Sequence, residues 1–200
     1  MGNLGSLRRS LEECGADVDI SNQPSSLVTA ERVLLPGVGS FSDGMAQLVK
    51  AGWIPALRTA VIDNKKPLLG ICLGMQLLAD QGEEGGKTAG LGFISGEVKK
   101  LDPDMPGTRI PHVGWNEIHF SSPPPLLSDV PSGTDYYFVH SYHLIPQSPV
   151  DIVARTPYCG TFVSIVRHEN VYGVQFHPEK SQKFGLRILR NFLQMQPVLC

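Results

Sequence analysis

The sequence predicts an α/β fold: a mostly parallel sheet with helices on both faces, joined by antiparallel strands in the second half. Three observations predict it. In the first half, continuous apolar runs at residues 32–37 and 67–71 are separated by segments of helical period. In the second half, "GEVKKL", "VGWNEIHF", "DYYFVHSYHL", "DIVARTP", "TFVSIVRHE" and "VYGVQFHPE" alternate in strand fashion between Pro- and Gly-bearing turns. Two hundred residues, 42% hydrophobic and 18% charged, suit a single domain over residues 1–200 with a sizeable core.

The elements follow in order. Leu4, Leu7, Leu11 and Cys14 recur at three- and four-residue steps, which predicts an amphipathic helix. "ADVDI" (16–20) reads as a short strand, and "RVLLPG" (32–37) as a buried strand ending in Pro-Gly. Residues 43–64 read as helix, broken in two by Gly52 and Pro55. "PLLGI" (67–71) is a second buried strand, followed by a helix from Leu73 to about Asp80. After the six alternating runs, a last helix spans Ser181 to about Gln194. "SSPPPLL" (121–127) reads as a surface loop. "QGEEGGKTAGLG" ends like a phosphate-binding loop, but that motif's first glycine would fall on Gln81, and the segment follows a helix rather than a strand. It reads as a plain glycine-rich loop.

A formal net charge of -2 gives no support for a nucleic-acid or polybasic membrane partner. No apolar run approaches the roughly 20 residues needed to span a bilayer, and no apolar leader opens the chain. The Met1-Gly2 start with Ser6 loosely fits a myristoylation pattern, which the basic helix-like continuation reduces to coincidence. The four cysteines (Cys14, Cys72, Cys159 and Cys200) are scattered, which argues against a disulfide frame or zinc site and for a reducing cytoplasm. Cys14 continues an apolar stripe, Cys159 sits in a turn and Cys200 ends the chain.

Only Cys72 stands in a special frame. Gly70, Cys72 and Gly74 have the spacing of a strand–turn–helix elbow that presents a nucleophile. The helix opening at Leu73 would aim its positive end at the thiol, and the Leu73 N–H could meet a developing oxyanion. Among six histidines, His177 differs: an apolar strand runs into it, Pro178 stops the ladder, and Glu179 follows two residues on, on the same side of extended chain. That is the base and orienter of a Cys–His–Glu triad. A second oxyanion donor is expected from "PGVGS" (36–40), where Gly37 and Gly39 flank Val38. Three strand ends would thus gather the chemistry, as open α/β sheets do.

"GICLGMQLL" with "FHPEKS" resembles the class I (triad) glutamine amidotransferases, whose fold is a flavodoxin-like sheet. "LPGVGSF", Met75 before Gln76, "HVGWN" and "YFVHSY" are similar to one branch, the glutaminase subunits of imidazole glycerol phosphate synthase in histidine biosynthesis. The likeness runs from Gly2 to about Phe192. It implies Cys72, His177 and Glu179 as triad, Leu73, Gly37 and Val38 as oxyanion donors, and Gln76, His140, Ser141 and Tyr142 as holders of L-glutamine. It further implies Trp115, Asn116, Tyr137 and Lys180 at the face meeting a (β/α)₈ cyclase partner in a heterodimer, with no cofactor and no metal. Rival readings are a glutaminase of another synthase (pyridoxal phosphate or purine pathways), a stand-alone γ-glutamyl thiol hydrolase, and a non-catalytic regulatory subunit, against which the intact triad argues. The family carries an apolar strand before the first helix. Its apparent absence here gives the expectation that the native protein has roughly ten further N-terminal residues, a strand plus turn.

Overall fold

The computed structural model describes residues 4–103 and 108–196. The Met1-Gly2 start and Cys200 lie outside the described residues. Helix α1 (Leu4–Glu13) buries Leu7 and Leu11, one turn apart, and leaves its charged residues outward. Strand β1 (Val33–Gly37) leads into α2 (Phe41–Lys50), which is capped by Ser40: its hydroxyl accepts the Asp43 N–H at 3.2 Å. Gly52, in left-handed conformation at φ 70°, separates α2 from α3 (Trp53–Leu57). Pro55 does not break the run. It is the third residue of α3, inside the first turn, where its missing N–H costs nothing.

Strand β2 (Leu68–Cys72) passes directly into α4 (Leu73–Leu77). Two-residue strands β3 (Gln81–Gly82) and β4 (Thr88–Ala89) pin the glycine-rich loop. Then come β5 (Gly96–Lys100), β6 (His112–Ile118), β7 (Thr134–His140), β8 (Tyr142–Pro146), β9 (Ile152–Thr156), β10 (Phe162–His168), β11 (Val171–Val174) and helix α5 (Gln182–Leu193). The central sheet runs β1-β2-β11-β10-β9; its first three strands are parallel and the last two antiparallel. A second sheet orders β4-β3-β5-β8, and β6 pairs with β7 as a hairpin.

Strand β2 shows why its run is apolar throughout. Leu69 and Ile71 enter the core under α1 and α5, while Leu68 enters the core under α2 and α3. Successive side chains go to opposite faces, and both faces are covered. No described helix is long and apolar enough to cross a membrane.

Four further expectations need correction. Residues 16–20 are not a strand. The alternation is there, with Ala16 and Val18 packed on the core and Asp17 and Asp19 exposed, but the segment has no ladder partner among the described residues. "DYYFVHSYHL" is two strands, because the chain leaves the β6–β7 hairpin at Ser141 and joins β5 of the second sheet. In the 121–127 loop, Leu126 and Leu127 turn inward and are buried. Finally, β11 stops at Val174, and Glu179 stands not on extended chain but in a 3₁₀ turn, Pro178–Lys180.

Candidate active site

The site begins with two close approaches. A side chain at Gly70 would stand 2.7 Å from the Gly74 carbonyl oxygen, and one at Gly74 would overlap the Leu35 carbonyl. Helix α4 therefore lies directly on β1 and β2, and only glycine fits either place. Between them Cys72 takes φ 55° and ψ −111°, a strained conformation for a side chain with a Cβ. The bend ends the strand at Cys72 and starts the helix at Leu73.

The turn after β11 brings together the residues expected as base and orienter. His177 Nδ1 lies 2.9 Å from Glu179 Oε1, and both side chains are 6% exposed. The turn is fixed from both sides. The Ser181 hydroxyl donates to the His177 carbonyl at 2.7 Å and accepts the Tyr137 N–H at 3.0 Å, while the His177 N–H donates to the Tyr137 carbonyl at 2.9 Å. Since a carboxylate only accepts, Nδ1 carries the hydrogen and Nε2 is turned to the cavity side. That Nε2 is buried without a hydrogen-bond partner in this resting geometry. Burial pulls the imidazole pKa down, but Cys72 and Glu179 overcome it and hold His177 at about 9. The charged form of the ring is thus favoured beside the sulfur.

A cavity of about 220 Å³ joins these parts, lined by Val38, Gly39, Cys72, Leu73, Gln76, Glu84, Val139, His140, Ser141, Tyr142 and His177. Strand β1 thus brings the "PGVGS" turn beside the elbow. Val38 and Gly39 (φ 100°) face the cavity, whereas Gly37 packs on Leu73 at the end of the strand. Gln76 donates to the Tyr142 carbonyl at 2.8 Å, which ties α4 to the 140–142 segment.

Two lining or supporting groups were missed in the sequence. Glu84 sits in the glycine-rich loop, with its carboxylate accepting the Phe41 N–H at 3.1 Å; burial raises its pKa. Gln175 is fully buried and its amide reaches Cys72 Sγ at 3.7 Å. Its signal was available: a polar residue inside the otherwise apolar "VYGVQF", two positions before His177.

The residues assigned to a partner face divide between two surfaces. Trp115 pairs with Tyr137 across the β6–β7 ladder, their rings 6.1 Å apart, and Lys180 Nζ stands 5.4 Å from the Tyr137 ring. Val113 and Val139 form the neighbouring exposed pair. Asn116, one residue from Trp115, points to the opposite, inner side, toward His112.

The class-I glutamine amidotransferase family profile matches residues 1–195. The chain is 45% identical to imidazole glycerol phosphate synthase subunit HisH of Moorella thermoacetica over 192 residues, 96% of this chain and 90% of that one. It is 42% identical to the subunit of the same name of Methylococcus capsulatus over 205 residues, 98% of this chain and 94% of that one. In fold, it superposes on a crystal structure of a glutamine amidotransferase with a TM-score of 0.74 at 18% identity, covering 96% of this chain and 93% of the other. An elbow cysteine and a paired His–Glu turn on this sheet agree with that likeness, and the chain belongs to the class-I glutamine amidotransferases.

Proposed function

We propose that this chain is the glutaminase subunit of an imidazole glycerol phosphate synthase. It hydrolyses L-glutamine to glutamate and passes ammonia to a (β/α)₈ cyclase subunit, in a reducing cytoplasm. The observation that carries the chemistry is the cavity in which Cys72 and the Glu179-bound His177 converge. The names of relatives above 40% identity over nearly the whole chain support the choice of synthase.

The steps follow from the groups. The Cys72 thiolate attacks the side-chain amide carbon of glutamine, and the carbonyl electrons move onto oxygen. Backbone N–H groups of Leu73 and of the Val38 turn are the donors offered to that oxyanion. Collapse breaks the C–N bond as His177 gives its Nε2 proton to the leaving nitrogen, releasing ammonia and a thioester. Neutral His177 then takes a proton from water, the hydroxide attacks the thioester, and expulsion of thiolate restores the ion pair. Glu179 holds the ring throughout. Glu84 and the Gln76 oxygen give the cavity acceptors for an ammonium, which suits an amino acid.

Cys72→Ala tests the reading. It should abolish glutamine hydrolysis, a loss of at least about 10³-fold, while the complex with the cyclase still makes product from added ammonia. Retained glutaminase activity in the variant would remove Cys72 from the mechanism.

A further inference from the structure

A directed chain of hydrogen bonds runs behind the cavity wall, and its two ends fix the hydrogens between them. At one end, Asn116 Oδ1 accepts the Glu117 N–H at 2.9 Å. The amide nitrogen is therefore the atom 3.2 Å from the Pro157 carbonyl and 3.3 Å from His112 Nε2. At the other end, the Tyr142 carbonyl only accepts, so His140 Nδ1, 2.9 Å away, carries a hydrogen. Neutral His140 then presents a bare Nε2, which must accept from His112 Nδ1 at 3.1 Å. That leaves His112 Nε2 bare, as the Asn116 amide requires. Followed from either end, both rings hold hydrogen on Nδ1. A proton added to either ring would force hydrogen against hydrogen at one junction. Burial keeps both rings neutral, drawing His112 down to about 4 and His140 to about 3.

The chain continues to the nucleophile. The Tyr142 carbonyl also accepts from Gln76 Nε2 at 2.8 Å; that nitrogen donates to Gln175 Oε1 at 3.1 Å, and Gln175 reaches Cys72 Sγ. Both Gln76 hydrogens are committed, so the atom it offers the cavity is its oxygen.

We propose that His112 and Asn116 are positioning residues for glutamine binding: they lock His140 in its Nδ1–H form and thereby fix the Tyr142 carbonyl and the Gln76 amide that shape the cavity. The substrate in this proposal rests on the glutaminase reading; the hydrogen-bond chain does not. Should His140 flip to Nε2–H, the Nδ1 lone pair would face the Tyr142 oxygen, and the 140–142 wall and Gln76 would lose their common anchor.

Two-bond ¹H–¹⁵N spectra of the histidine-labelled full chain test the lock directly. Expected are Nδ1–H signatures for His112 and His140, unchanged across about pH 5.5 to 8.5, where an ordinary imidazole titrates. An Nε2–H signature or a titration at either ring overturns the proposal. His112→Phe keeps the stack on Tyr158 (centroids 3.9 Å) and Phe138 (5.0 Å) but removes both nitrogens. In it His140 should move toward Nε2–H, and in the cyclase complex KM for L-glutamine should rise about tenfold with kcat nearly kept, one hydrogen bond's worth. Asn116→Asp retains the acceptor for Glu117 and loses the donor, and should raise KM in the same way even if His112→Phe does not fold. Wild-type KM in folded Asn116→Asp overturns the proposal. A wild-type complex that hydrolyses no glutamine overturns the functional reading instead, and the spectra still decide the lock.

Discussion

At Cys72 a backbone conformation that costs on the order of 1–3 kcal/mol is held by its surroundings: glycines on either side let α4 rest on β1 and β2, and the sulfur is left at the cavity. Its neighbour His177 gives a pH test. The folded pKa, about 9, lies above the 6.5 of an ordinary histidine, despite the opposing effect of burial. The stability this contributes is therefore complete below about pH 6.5 and is lost as pH rises through about 9. Denaturant midpoints should fall over that window by an amount worth up to ~3 kcal/mol, and His177→Gln should flatten the fall. Cys72→Ala should remove much of it, since Cys72 is the foremost of the groups holding the imidazolium. An unchanged slope in His177→Gln would show that another group titrates.

Among the elements, the junction of β2 and α4 tolerates least. Gly74→Ala would drive a methyl into the Leu35 carbonyl, which is backbone and cannot turn aside. We expect a loss of ~3 kcal/mol or more, read as a lower midpoint in denaturant; a wild-type midpoint would mean that helix and strand part easily. This junction was legible in the sequence because its causes are local: glycine spacing, an apolar run, a helix start. So was the pairing of His177 with Glu179, although the sequence placed it on extended chain and it stands in a 3₁₀ turn. What was not legible depended on neighbours. "ADVDI" has strand alternation yet pairs with no described strand. Ser141 ends β7 because β8 belongs to another sheet. Glu84 reaches the site only because β3 folds the glycine-rich loop back beside β5.

For the whole molecule, the sheet sets the cavity beside an exposed face of Val113, Trp115, Tyr137 and Val139 on the hairpin, where a cyclase partner is proposed to sit. The Val139 carbonyl lies 3.8 Å from Cys72 Sγ, so β7 carries part of that face and also touches the sulfur at the end of β2. Glutamine hydrolysed without an acceptor is wasted, and the Val38–Gly39 turn beside the elbow is the element whose rotation could withhold an oxyanion donor. The chain alone should accordingly be slow, with a rate rising at least about 10²-fold when the cyclase and its ligand are present, the worth of one oxyanion donor. Equal rates for the chain alone, with the cyclase, and with the cyclase and its ligand would favour a stand-alone hydrolase. The most direct measurement is covalent: the complex is treated with a chloroketone analogue of glutamine and its cysteine peptides are weighed. One adduct is expected, on Cys72, suppressed by excess L-glutamine; an adduct on Cys14 or Cys159 instead, or labelling of Cys72 that glutamine does not slow, would rule out Cys72 as the nucleophile of a glutamine site.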